Sequence, residues 1–233
     1  LTGEFGSVAV VSKLDSMGNI AWTKMFNGGG AGFSIEVDYF GDGKVYTAGS
    51  FGGNCDFDPG AGTFILSGGG GFLSVLDSSG NFVSAKIIGG AAFSMSIDFA
   101  ESKDIYITGV LYGTQDFDPG SGTYYMSSNG TNDIYVSKLD SSENFRWAKS
   151  FGGTDMDVGS KVYHGQSDPE NIYFIGYYHG TIDFNSGPDT FNLSAAFQAG
   201  YGDGFICKFD TAGDFIWAKS IGGARDDFAN SIA

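Results

Sequence analysis

Basic and imidazole side chains are scarce in this chain of 233 residues, which has 12 Lys and Arg against 27 Asp and Glu, and 2 His. The formal charge of −15 repels phosphate backbones, which argues against nucleic acid as a partner. Cysteine is equally sparse, at 2 residues, and no Cys or His cluster supplies the three or four ligands that zinc takes. No apolar run approaches the ~18 residues of a membrane-crossing helix, so no membrane span is expected. No basic segment followed by an apolar one precedes the first repeat, so no targeting signal is legible. A convincing helical period is also missing from every stretch of 11 residues.

What the chain does have is glycine, 39 residues of it, and aromatic residues at 16% against 17% charged. That much aromatic matter can build a core, which excludes a disordered acidic tail. Glycine without a three-residue period excludes collagen and disfavours long helices, where each Gly costs ~1 kcal/mol.

Self-similarity organises the sequence. SKLDSMGNIAWTK (Ser12 to Lys24) returns as SVLDSSGNFVSAK (Ser74 to Lys86), SKLDSSENFRWAK (Ser137 to Lys149) and CKFDTAGDFIWAK (Cys207 to Lys219). The markers Asp15, Asp77, Asp140 and Asp210 lie 62, 63 and 70 residues apart. A second block, YTAGSFGGNCDFDPGAGT (Tyr46 to Thr63), returns as Tyr106 to Thr123 and, altered at its Asp-Pro end, as Tyr173 to Thr190. The extra residues of the longest interval fall around HGQSDPE (His164 to Glu170) and AAFQAGYGD (Ala195 to Asp203), connections of the kind where a repeat tolerates insertion. Each repeat carries four segments of β-branched and aromatic character bounded by turn residues, as in Phe33–Asp38, Lys44–Phe51, Asp133–Asp140 and Asn144–Phe151.

Four antiparallel strands per repeat of 62–70 residues, in tandem, predict an all-β chain built as a β-propeller. The repeats fall at 8–26 (partial), 33–88, 93–151, 158–221 and 228–233 (partial), so three complete blades sit between a strand pair and a lone strand. The blade count and the mid-strand ending suggest a piece of a larger propeller whose other parts lie on a longer chain. A four-bladed ring is the alternative.

The combination of KLDSxGNFxWAK, a Gly-Gly pair, SIxxD, IYxTG and DFDPGxGT resembles the SBBP repeat, which is distantly similar to NHL blades. The resemblance covers nearly the whole chain. It implies a propeller in a bacterial secreted or cell-surface protein, notably of Bacteroidota, and no uniform catalytic activity. The expected function is therefore a non-enzymatic extracellular module for structural display or binding, with a surface protein or glycan as the partner class. A calcium-stabilised carbohydrate-binding or adhesion module is one alternative, and the scaffold of a polysaccharide-degrading enzyme is another.

Several residues are candidates for chemistry. Asp56 and Asp58, and again Asp116 and Asp118, stand at i and i+2 before a Pro-Gly turn, with Asp183 and Asn185 in the third copy. Two hard oxygens before a turn suit Ca²⁺, and they equally suit capping of the turn's backbone N–H groups. Trp22, Trp147 and Trp217 share one repeat position, where the second unit has Ser84. They read as packing between blades, or alternatively as a platform for sugar rings. Their partner lysines Lys24, Lys86, Lys149 and Lys219 lie two residues on. The Gly-Gly pairs beginning at Gly28, Gly89, Gly152 and Gly222 read as inter-blade turns, and the Asp15-type markers as Asx turns. His164 and His179 read as loop residues, and Cys207 as a small core residue, with a pairing to Cys55 left open. The acids that depart from the repeat are Glu36, Glu101, Asp155, Asp157, Asp226 and Asp227.

Overall fold

The computed structural model describes residues 9–28, 36–38, 41–165, 167–196 and 200–233. Residues 8 and 33–35, Gly29, Gln166 and residues 197–199, which belong to expected repeat starts, turns and insertions, lie outside them. Every regular element among the described residues is a β-strand. The first unit is a hairpin of β1 (Ala9–Leu14) and β2 (Ile20–Gly28). The second runs through β3 (Glu36–Asp38), β4 (Lys44–Phe51), β5 (Asn54–Asp56), β6 (Ile65–Ser67), β7 (Gly70–Asp77) and β8 (Phe82–Ile87). The third repeats this order as β9 (Ala91–Phe99), β10 (Ile105–Leu111), β11 (Thr114–Asp116), β12 (Tyr125–Ser127), β13 (Asp133–Leu139) and β14 (Phe145–Phe151). The fourth does so as β15 (Val158–Tyr163), β16 (Asn171–His179), β17 (Thr181–Asp183), β18 (Asn192–Ser194), β19 (Gly202–Asp210) and β20 (Phe215–Ile221).

The main sheets are antiparallel and four-stranded, ordered β3-β4-β7-β8, β9-β10-β13-β14 and β15-β16-β19-β20. The four expected strands per repeat are therefore present. Each repeat also holds a short hairpin that the sequence pattern did not show, β5–β6, β11–β12 and β17–β18, and this hairpin carries the Asp-Phe-Asp motif or, in the last, Asp-Phe-Asn. The first of them joins β2 of the preceding unit, completing a sheet of order β1-β2-β5-β6.

Local chemistry explains why the repeats fold alike. Each marker aspartate closes its hairpin as an Asx turn, its Oδ1 accepting from the backbone N–H two and four residues on, as Asp15 does from Met17 (2.9 Å) and Asn19 (2.8 Å). Asp77, Asp140 and Asp210 make the same pair of bonds. A shift in register follows one residue before the marker in all four copies, at Lys13/Leu14, Val75/Leu76, Lys138/Leu139 and Lys208/Phe209. Such a bulge adds twist at the same place in every sheet.

The core lies in three clusters strung along the units. Phe26, Phe51, Phe57, Phe72 and Leu76 fill the first, Ile97, Ile107, Phe117, Tyr135 and Leu139 the second, and Phe151, Phe174, Phe184, Phe205 and Phe209 the third. Within each, the hairpin phenylalanine meets the aromatic that opens the third long strand. Phe57–Phe72 are 4.7 Å apart, Phe117–Tyr135 4.9 Å and Phe184–Phe205 4.9 Å. First strands also converge. Glu36 on β3 accepts from Ile97 N–H on β9 (3.0 Å) and pairs with Lys161 on β15, so one carboxylate joins three units.

The segment 228–233, expected as a lone strand, is irregular. It still lies where the sheets are stacked, with Phe228 against Tyr177 at 4.8 Å and Ala229 beside Gly204. A first strand forms its ladder with the second strand of its own unit, as β9 does with β10.

Candidate functional site

The two Asp-Phe-Asp hairpins and the Asp-Phe-Asn hairpin of the fourth unit share one set of bonds. Asp56 Oδ1 accepts from Asp58 N–H (3.1 Å) and Phe64 N–H (2.8 Å), and Asp58 Oδ1 accepts from Gly60 N–H (2.8 Å). Asp116 does the same with Asp118 (3.1 Å) and Tyr124 (2.7 Å), and Asp118 with Gly120 (2.8 Å). In the third copy Asp183 holds Asn185 and Phe191, and the amide oxygen of Asn185 holds Gly187 at 2.9 Å. A neutral amide thus performs the task of the second carboxylate. The phenylalanine between the two side chains is buried in every copy. Each hairpin brings together its own pair alone, and among the described residues no three His, Cys, Asp or Glu side chains converge as a metal site. These are the bonds that turn capping calls for.

Trp22 and Trp147 join one unit to the next. The indole N–H of Trp22 donates to Ser78 C=O (3.1 Å) and that of Trp147 to Thr211 C=O (3.3 Å). Each carbonyl also accepts from a lysine, Lys13 (2.9 Å) and Lys138 (3.1 Å) respectively. The indole faces lie on a glycine of the same turn. A Cβ added to Gly80 would stand 3.1 Å from Trp22, and one added to Gly213 would stand 3.0 Å from Trp147. Both glycines hold a positive φ, +79° and +90°. Trp22, Trp147 and Trp217 are half-buried rather than wholly buried.

At the intervening junction both partners change together. Ser84 replaces the tryptophan and Glu143 replaces the turn glycine, again at positive φ (+61°). The Glu143 carboxylate enters the space an indole would fill, accepting from Ser84 Oγ (3.0 Å) and pairing with Lys86 (3.5 Å), while its carbonyl accepts from Lys86 Nζ (3.0 Å). Sequence reading placed Ser84 as an exception and missed Glu143, although the two departures are visible side by side.

Lysine, acid and tyrosine form a second recurring cluster that the sequence did not reveal. Lys138 pairs with Asp104 (2.9 Å) over the Tyr106 ring, and Lys208 with Asp168 (2.7 Å) over Tyr173. Lys208 and the Tyr173 hydroxyl hold Asp168 well below the usual carboxylate range.

Of the pattern-breaking acids, Glu36, Asp157, Asp226 and Asp227 are structural in their contacts. Asp157 is fully buried and accepts from Gly153 N–H (2.8 Å) and His179 N–H (2.9 Å), and Asp227 accepts likewise from Gly223 (2.8 Å). Burial pushes the Asp157 carboxyl up to about 6, and the nearby Asp133 charge adds to that. Asp133, also fully buried, accepts from Asn129 N–H (2.9 Å), and Asp226 accepts from Gly202 N–H (2.9 Å). His164 lies in a loop just past β15, as expected, but is buried there against Tyr106 with its ring nitrogen on Pro169 C=O (3.0 Å), whereas His179, expected in a loop, is the last residue of β16. His179 bonds Met156 C=O (2.6 Å) and, with Asp155, Thr131 and Tyr201, lines a polar cleft of about 560 Å³. Glu101 lines a smaller one of about 250 Å³ beside Lys138. Cys55 and Cys207 are free thiols buried in separate clusters, and burial pushes the Cys55 thiol up to about 11.

No protein-family model matches the chain, and no curated protein matches it.

Proposed function

We propose that the four-stranded units are blades of a β-propeller and that the chain is a non-enzymatic scaffold for display or binding in a secreted or cell-surface protein. The observation that carries the non-enzymatic reading is the occupation of the recurring polar groups. The marker aspartates, the hairpin acids and the Trp22 and Trp147 indoles are bonded to the backbone of turns in their own or the next unit. A group so engaged stabilises a turn and is a poor general acid or nucleophile, since its lone pairs already face donors. Convergence of three first strands on Glu36 supports a radial arrangement, because blades present their innermost strands to one axis. The net charge of −15 favours a protein or neutral glycan over an anionic polymer as the partner.

Labelling of intact source cells with an antibody to the chain tests the surface role. Signal on unbroken cells that external protease removes is the expected result. Signal that emerges after lysis alone overturns it.

A further inference from the structure

A polar cleft of about 250 Å³ lies between the third and fourth units, lined by Glu101, Asp104, Tyr106 and Lys138 from one and by His164 and Glu170 from the other. Its residues depart from the repeat at three places. His164 stands where the third unit has Phe99, one residue past the ladder partner of the second-strand tyrosine. Phe99 packs on Tyr46 of the preceding unit at 4.7 Å, and His164 stacks on Tyr106 of its own preceding unit at 5.8 Å. The imidazole is 6% exposed. Its Nε2 donates to Pro169 C=O (3.0 Å), so Nδ1 is left as an acceptor, and no donor among the described residues meets it.

The second departure is the Tyr106 hydroxyl. Its equivalents on Tyr46 and Tyr173 donate to Asp42 (3.0 Å) and Asp168 (2.6 Å). Tyr106 is wholly buried, Lys138 over its ring can only donate, and its O–H has no acceptor among the described residues. The third departure is Glu101, which precedes Tyr106 by five residues as Asp168 precedes Tyr173. Asp168 accepts from Tyr173 and Asn171 and pairs with Lys208, whereas Lys138 turns to Asp104 (2.9 Å) and leaves Glu101 aside. Among the described residues neither the Glu101 nor the Glu170 carboxylate has a cation or donor. Three carboxylates thus share the cleft with one ammonium, which Asp104 already neutralises.

We propose that this cleft binds a sugar that carries a free amine. A buried donor and a buried acceptor, both unmet and on stacked rings, are costly to keep in a folded chain. A ligand hydroxyl answers the two at once, accepting from Tyr106 and donating to His164 Nδ1. An ammonium group answers Glu101 and Glu170 through charge-assisted bonds that an uncharged substituent does not make. A compact frame with several hydroxyls and one amine is an amino sugar, and the excess of carboxylates repels an acidic one. This ligand is a narrower form of the glycan partner proposed above and rests on that reading.

Titration of the 233-residue chain with glucosamine, read by calorimetry and by ligand-observed NMR, tests this. Glucosamine is expected to bind about tenfold or more tightly than glucose or N-acetylglucosamine, which lack the charge, and than putrescine, which lacks the hydroxyls. Glu101→Gln/Glu170→Gln removes the preference for the amine. His164→Phe, which installs the residue of the Phe99 position, weakens glucosamine and glucose alike. Tyr106→Phe weakens both as well, yet its free chain melts no lower than the parent, because the hydroxyl it loses had no acceptor. Absence of glucosamine binding overturns the proposal, as does binding that putrescine or N-acetylglucosamine matches, binding indifferent to these variants, or a Tyr106→Phe chain that melts lower. A chain that an antibody detects on unbroken cells but that binds no glucosamine overturns the cleft assignment alone and leaves the surface role standing.

Discussion

Glu143 is a left-handed residue where the other three units have glycine, and its strain is offset by the contacts its side chain gains. A non-glycine residue at φ near +60° costs about 1 kcal/mol, which two bonds from Ser84 and Lys86 more than cover in a half-enclosed site. Ser84→Trp alone drives an indole into that carboxylate and strands a charge, so a loss of roughly 2–3 kcal/mol is expected in urea unfolding. Ser84→Trp/Glu143→Gly installs the pairing of the other two junctions and recovers most of it. Equal losses in the single and double variants would refute the coupling. Asp157 makes a second case at this scale. Its carboxyl is raised from 3.8 to about 6, so the folded state holds its proton more tightly than the unfolded chain does. That contribution is complete below pH 4 and disappears as pH rises through 6, leaving the buried charge to cost about 3 kcal/mol at pH 7. Asp133 is raised in the same sense. Asp157→Asn is expected to flatten the stability profile between pH 4 and 7, with the variant gaining on the parent chain as pH rises. An unchanged slope between pH 4 and 7 would place the titration elsewhere.

The short hairpin is the element that sequence periodicity could not deliver. Strands of three residues such as Thr114–Asp116 and Tyr125–Ser127 hold a single alternation, too little for a period-two signal, and their flanks read as loop. The long strands, the tight turns and the 62-residue repeat were legible because each rests on local chemistry: β-branched runs, an Asx turn and a bulge in fixed register. Pairing of β5 with β2 of the preceding unit was not legible, since it depends on which sheet lies alongside. The Asp-x-Asp pairs stood out in the sequence, but which donors they hold is a matter of three-dimensional arrangement. Here the donors are main-chain amides. Asp116→Ala leaves the N–H groups of Asp118 and Tyr124 without an acceptor and is expected to cost about 1–2 kcal/mol. Asp118→Asn is expected to change stability by less than about 0.5 kcal/mol, because Asn185 already caps Gly187 in the third copy. A chelator is expected to leave the melting temperature unmoved. A drop on adding chelator that Asp58→Asn/Asp118→Asn abolishes would instead assign these carboxylates to calcium.

At the scale of the whole molecule two electrostatic effects oppose each other. Ion pairs such as Lys138–Asp104, Lys208–Asp168 and Arg146–Asp140 brace single units, Lys86–Glu143 and Lys161–Glu36 join different ones, and all are partly exposed. Pairs of that kind are worth about 0.2–1 kcal/mol each and weaken with salt. Against them stands a charge of −15 on a stack of sheets whose apolar contacts are divided among three clusters instead of gathered in one. Repulsion among 27 acids acts over the whole surface, and shortening the Debye length from about 30 Å at 0.01 M to about 3 Å at 1 M removes nearly all of it. With more than twice as many acids as bases, most carboxylates have no cation to lose. The unfolding midpoint is therefore expected to rise as sodium chloride is added. A midpoint that falls with salt would mean that the few ion pairs outweigh the general repulsion. Cohesion of the stack would then lie in the lysine clusters rather than in the aromatic seams.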